Sequence, residues 1–209
     1  VPIFKKDGRN FLFVHVPKTG GTTIENVFRD SGYQVLYLDG KMGREAVNHV
    51  RRCTPQHMHA EMLQTNFRLE RFDATFMMVR DPLNRFKSEY IWRNRKGLKG
   101  VDAESVNSWG AKAFRKYRTD NFLFDNHLRP QVDFYVPGSN VYYFETGMQF
   151  VVDDLNRRFG LDVGPNIPRL KDGQKETGFS SKDVVVSPKM ETAVKEFYEA
   201  DYLRFGYPL

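Results

Sequence analysis

The chain is poor in the residues that would let it be stapled, glycosylated or threaded through a bilayer. Cys53 is its only cysteine, so no disulfide can close within it. No apolar run approaches the ~18 residues that read as a membrane span. No N-x-[ST] acceptor occurs anywhere, and no repeat, low-complexity tract or polar linker separates two halves. No leader pattern precedes the first apolar segment. Together these absences lead to an expectation of a cytoplasmic protein, a trimmed lumenal domain being the alternative. At 209 residues the chain is long enough for one domain with a sizeable core, 1–209.

Hydrophobic residues make up 40% and aromatics 14%, which excludes a disordered chain. Thirty-two Lys and Arg against 26 Asp and Glu give a net charge of +6. That balance suits a negatively charged partner, whether nucleic acid, an acidic polymer or a multiply charged small molecule. A solvated basic surface has the same balance, so charge narrows the partner's sign and little else.

The most informative stretch is Phe11 to Glu25, FLFVHVPKTGGTTIE. Phe11 to Val16 is short, apolar and rich in β-branched and aromatic side chains, as a buried strand requires. After Pro17 the chain reads Lys-Thr-Gly-Gly-Thr-Thr, and an amphipathic helix follows, with Gly32 as its stop. A helix N-terminus presents unpaired N–H groups and the positive end of a dipole, so it attracts anions. Gly20 and Gly21 permit close approach of backbone to ligand, and Lys18 adds a point charge. An ordinary β–α turn with a solvated lysine is the bland alternative. A nucleotide-triphosphate P-loop is excluded by order, because G-x-x-x-x-G-K-[ST] puts lysine after the last glycine and here Lys18 precedes both.

Further along, Val35 to Leu38 reads as a strand and Met42 to Arg52 as a helix. Asp73 to Val79 is a buried strand, and Asp81-Pro82 is a helix start, capping aspartate followed by an N1 proline. Helices are expected over Ala103 to Tyr117, Asn121 to Leu128, Met148 to Phe159 and from Ser187 to about Arg204. A strand is expected over Val141 to Glu145 and a long loop over 161–186. Strands alternating with helices imply an α/β fold with a mostly parallel central sheet flanked by helices. Ligands then sit beyond the carboxyl ends of the strands, where both the lysine–glycine loop and Arg80 are expected.

Arg80 ends a strand and Ser88 lies about two turns into the next helix, in VRDPLNRFKSEY. An arginine fork and a hydroxyl can hold one phosphate between them. Arg85 has the spacing of an intrahelical partner for Glu89.

VHVPKTGGTT and VRDPLNRFKSEY together resemble the 5′-phosphosulfate loop and the 3′-phosphate motif of the sulfotransferases that use 3′-phosphoadenosine-5′-phosphosulfate (PAPS). The likeness is to the carbohydrate O-sulfotransferases, sulfotransferase family 2, which include the heparan sulfate 2-O and 6-O enzymes and bacterial relatives. It continues through LRPQVDFYV (128–136), VYYFE (141–145) and FYEADYLRFGY (197–207), in order and over nearly the whole chain. The resemblance implies a P-loop-like PAPS-binding fold and transfer of a sulfuryl group to a carbohydrate hydroxyl, anionic acceptors included, with PAP as product. It implies no metal, no nucleic acid and no membrane span. Carried over residue by residue, Lys18, Thr19, Gly20, Gly21, Thr22 and Thr23 would hold the 5′-phosphosulfate, and Arg80 and Ser88 the 3′-phosphate. Adenine contacts would come partly from a loop within Lys171 to Lys182. Arg129 and Gln131, in the LRPQ match, would lie near the acceptor or the cofactor, and Trp92, by its own chemistry, could stack on a sugar face. Their alternative roles are a buried polar network and the core.

The acceptor hydroxyl must lose a proton as it attacks sulfur. His15 sits inside the first strand and reads as structural. His57 and His59, in Thr54-Pro-Gln-His-Met-His-Ala-Glu-Met, lie between the two cofactor motifs, where the resembling enzymes carry a catalytic histidine. The resemblance, through the match to His-Ala followed by a helix, implies His59 over His57 as base, with His57 orienting the acceptor or its partner. Glu61 as base, or a metal held by Cys53, His57 and His59, are the competing readings, and no fourth ligand is evident for the latter. Competing functions are an ATP-dependent phosphotransferase with a divergent loop and a non-enzymatic polyanion-binding module.

Overall fold

The computed structural model describes residues 1–164, 167 and 177–209. Two compact units share them. The first comprises Val1–Val79 and the described residues from Asp133 to 167, the second Arg80–Val132 and residues 177–209.

The first unit is built on a five-stranded sheet. β1 (Ile3–Lys6) and β2 (Arg9–Val14) form a hairpin in which Lys6 faces Arg9. The two-residue loop is Asp7-Gly8, both at positive φ (50° and 79°), the dipeptide that suits a tight hairpin turn. β3 (Gln34–Leu36), β4 (Ala74–Val79) and β5 (Asn140–Tyr143) complete the order β3-β1-β2-β4-β5. β2–β4 and β4–β5 pair in parallel, whereas β1 pairs antiparallel with both β2 and β3. The sheet is therefore mixed, and the expectation of a mostly parallel one is corrected. The Asp7-Gly8 hairpin folds β1 back onto β2, and β3 joins its far edge.

Among the described residues this unit carries the helices α1 (Gly21–Asp30), α2 (Ala60–Asn66) and α5 (Met148–Phe159). Its core is aromatic. Phe4 stacks on Phe28 at 3.9 Å and Phe13 on Phe76 at 5.0 Å, all four fully buried. Burying each such ring contributes about 1.5–3 kcal/mol. The helix expected over Met42 to Arg52 shrinks to one 3-10 turn, Val47–Val50. There the buried Asn48 amide donates to the Asp39 and Lys41 carbonyls, fixing a loop instead of a helical ladder.

The second unit is helical: α3 (Pro82–Asn94), α4 (Ala103–Tyr117), α6 (Pro188–Phe197) and α7 (Glu199–Phe205). Asp81, Asp102 and Ser187 cap the first three by accepting from Asn84, Ser105 and Met190 N–H groups. Phe86, Tyr90, Phe114, Met190, Val194, Tyr198 and Tyr202 form its core. Gly110 lets α4 close in, since a Cβ there would lie 2.9 Å from Met190 Sδ and 3.0 Å from Phe86 Cζ.

Two helix expectations fail here. The C-terminal helix breaks at Tyr198 (φ −109°, ψ 21°), whose buried hydroxyl donates to the Leu128 carbonyl at 3.0 Å. Residues Asn121 to Leu128 form consecutive turns, with Phe124, Asp125 and Asn126 all left-handed (φ 57°, 60° and 63°). Buried Asn126 accepts from Arg129 Nε at 3.0 Å while Arg129 also donates to the Asn121 carbonyl, so side-chain bonds replace the helical ones. Among the described residues no helix is long and apolar enough to cross a membrane.

Candidate functional site

The carboxyl ends of β2 and β4 lie side by side at one end of the sheet, in register from Phe11↔Ala74 to Val14↔Met77. The chain leaves β2 through His15-Val16-Pro17-Lys18-Thr19 and enters α1 at Gly21. Lys18 takes a left-handed conformation (φ 69°), rare for a side chain of its kind, and Gly20 follows at φ 90°. Buried Thr19 ties the loop down by donating to the Val16 carbonyl at 2.8 Å. Strained backbone of this sort clusters at ligand-holding loops. The first residues of α1 keep the N–H groups that a helix cannot satisfy internally, so the local build fits an oxyanion.

Both glycines have a packing reason to be glycine. A Cβ on Gly20 would meet Met148 Cε at 2.0 Å and Phe144 Cε2 at 3.2 Å. A Cβ on Gly21 would fall 2.1 Å from His15 Nε2 and 2.3 Å from its Cδ2. The imidazole of His15 is thus pressed against the first residue of α1.

His15 is one member of a buried network. Its Nδ1 lies 2.6 Å from Glu25 Oε1, with the residues 4% and 3% exposed. Gln56 Nε2 donates to the same oxygen at 2.7 Å, and the His57 ring stands edge-on to His15 with centroids 4.9 Å apart. Burial pushes the Glu25 carboxyl up, but His15, Gln56 and His57 outweigh it and hold it below the usual carboxylate value. Glu25 is ionised at neutral pH.

His57 closes a 3-10 turn, Pro55–His57, and His59 is the N-cap residue of α2. Both are buried. The His59 Nδ1 atom is enclosed, and Nε2 lies 3.7 Å from the carboxylate of the exposed Glu61. The expected helix after His-Ala is present, with His57 in the turn before it and His59 at its N-cap. Cys53 is buried, its thiol 3.6 Å from Met62 Sδ. Among the described residues no group of three or more His, Cys, Asp or Glu could hold a metal ion.

In the second unit Arg80 opens the segment that leads into α3, and Ser88 lies two turns along that helix; both are half-buried. The Arg80 backbone is gripped at both ends by one side chain: its N–H donates to Gln131 Oε1 at 2.9 Å and its carbonyl accepts from Gln131 Nε2 at 2.8 Å. Asp201 in turn accepts from the Gln131 and Val132 N–H groups at 2.9 and 2.8 Å. Gln131 and Arg129 are built into buried polar networks, while half-buried Trp92 carries the Arg95 guanidinium 3.7 Å above its ring. Arg85 is buried, donates to the His127 carbonyl at 2.8 Å and lies 5.6 Å from the Tyr198 ring. Of the loop expected to reach adenine, residues 171–176 lie outside the described residues.

Sequence reasoning missed the Glu25–Gln56 link and the clamp on Arg80. A signal for the first existed: Glu25 sits four residues after Gly21, on the inward face of an amphipathic helix where a carboxylate needs a partner.

A parallel β2–β4 pair whose first loop passes through left-handed residues into a helix N-terminus defines an α/β protein with a loop whose build suits an anionic group. The family model described as the sulfotransferase family matches residues 2–208, and the chain belongs to that family. It is accordingly a transferase of the sulfotransferase class. No curated protein and no solved structure matches it.

Proposed function

We propose that the protein is a PAPS-dependent O-sulfotransferase acting on a carbohydrate hydroxyl. The observation that supports this most is the left-handed Lys18 loop at the head of α1, in a chain matched along its length by the sulfotransferase family. PAPS, when bound, supplies an activated sulfuryl group on its 5′-phosphate. The N–H groups of Gly20, Gly21 and Thr22 at the head of α1 and the Lys18 ammonium hold that end, with Thr23 folded beside them, and oppose the charge that develops on the leaving phosphate oxygen. Arg80 and Ser88 hold the 3′-phosphate. In this reading Gln131 and Asp201 position Arg80, and Arg129 and Trp92 serve the acceptor side.

The acceptor oxygen bonds to sulfur as the bond between sulfur and the 5′-phosphate oxygen breaks, the electron pair leaving with PAP. His59 takes the acceptor proton on Nε2, the nitrogen that faces Glu61, with His57 beside it. The chain's own charges do the electrostatic work, so the reaction proceeds without a metal ion. Screening glycans with sulfur-labelled PAPS tests the reading. Label on a glycan hydroxyl, formed in the presence of chelator, supports it; label retained on PAPS with every glycan, or transfer that needs magnesium, contradicts it.

A further inference from the structure

Glu25 is a buried carboxylate in the second turn of the helix whose first turn is read as the anion cradle. An ionised group there opposes a phosphosulfate unless it is compensated, and desolvating it is costly unless it is paired. The compensation comes from one side only. His15, Gln56 and His57 are the groups that face it, supplied by the end of β2 and the segment Pro55–His57. One carboxylate oxygen therefore joins two pieces of chain with separate tasks: through His15, whose ring lies against Gly21, the donor loop; through Gln56, the turn that carries His57 and leads to His59. The Gln56 carbonyl oxygen also lies where a Cβ on Gly40 would approach to 2.7 Å, so this turn is bounded on its other side too.

We propose that Glu25 is a positioning residue for sulfuryl transfer: by accepting from His15 and Gln56 together it locks the histidine turn against the donor loop. This rests on the sulfotransferase reading above. Glu25 touches no reacting atom; it sets the distance over which His59 meets an acceptor attacking a group held by the loop. A displacement of the order of 1 Å costs about 10²-fold in rate, whereas donor affinity depends on loop contacts that survive.

The test pairs calorimetry with PAP, transfer assays with labelled PAPS and the acceptor a glycan screen selects, and proton spectra of the imidazole N–H groups. Glu25→Gln keeps the shape and removes the charge. It is expected to lower kcat about 10- to 100-fold with PAP affinity within about threefold of wild type. Gln56→Met cuts the second arm without placing an altered group in the buried pair, and is expected to show the same split at about a third of the size. It carries the test if Glu25→Gln does not fold. In the wild type, PAP should shift the low-field N–H signal that disappears in Glu25→Gln, a response that a purely structural pair would not give. PAP binding with an unmoved signal and unchanged kcat in both variants overturns the proposal and leaves the sulfotransferase reading standing. Failure of the wild type to bind PAP overturns both.

Discussion

Two histidine–carboxylate pairs, one buried and one half-buried, meet in this molecule at the same distance and in different company. His15 and Glu25, in the first unit, meet at 2.6 Å; so do His127 and Glu89 in the second. Glu89 also accepts from Arg93, Nε at 2.9 Å and the terminal nitrogen at 2.8 Å, a cation that keeps its charge at any accessible pH. Glu25 is faced instead by two histidines and an amide. The arginine-backed pair fastens α3 to the turns before Leu128, while the histidine-backed pair borders a strained loop and the turn that carries His57 and leads to His59. The same contact distance is backed by a guanidinium in one place and by a second imidazole and an amide in the other.

The largest effect should separate the two units by turnover. His59→Ala is expected to lose about 10²–10⁴ in rate, the usual worth of a general base, with PAP affinity kept. His127→Ala, in the braced pair, should stay within about threefold. A larger loss in His127→Ala, or in His57→Ala than in His59→Ala, would break the assignment of chemistry to His59.

Next come the two cations read as donor ligands. Lys18→Ala should lower turnover about 10²–10³-fold and PAP affinity far less, because its charge matters most where charge builds up on the leaving oxygen. Arg80→Ala should do the reverse, weakening PAP at least about tenfold, from a charged hydrogen bond of about 1.5–3 kcal/mol, with little loss for an analogue lacking the 3′-phosphate. Equal losses for both ligands would reduce Arg80 to a structural residue.

Stability sharpens the contrast further. Glu89→Gln should destabilise the protein by about 1.5–3 kcal/mol at neutral pH, read from the urea midpoint, since it strips charged bonds from His127 and Arg93. The smallest effect is a pH dependence. The Glu25 carboxyl is held below its usual value of 4.5 in the folded state, so it adds stability above that pH and loses it as pH falls through 4.5 and below. Glu25→Gln should flatten that acid limb of the stability profile. An identical limb in both proteins would show that the histidines do not favour the ionised carboxylate.

How far the sequence could be read depended on whether neighbours or distant partners decide the local structure. Helices α4 and α5 fall on Ala103–Tyr117 and Met148–Phe159 as expected, because capping residues and apolar periodicity settle them locally. The lysine–glycine loop was legible as a β–α turn for the same reason, since the apolar run, Pro17, the two glycines and the amphipathic stretch mark it locally. Strand β1 was overlooked although Asp7-Gly8 announced a hairpin, and with it the antiparallel half of the sheet. Distant contacts defeated the rest. The break at Tyr198 depends on Leu128, seventy residues away, and the grip on Arg80 depends on Gln131. The His15–Glu25–Gln56 network was invisible for that reason too: His15 looked like a strand histidine and no more until α1 and the turn at Pro55 were folded beside it.

The most direct test of the account is a calorimetric titration of the wild-type protein with PAP, with ATP plus magnesium, and with a single-stranded oligonucleotide. The account predicts saturable one-to-one binding of PAP in the presence of chelator, tighter than that of either rival and weakened by Arg80→Ala. Binding of ATP only with magnesium, or of the oligonucleotide in preference to PAP, would contradict it.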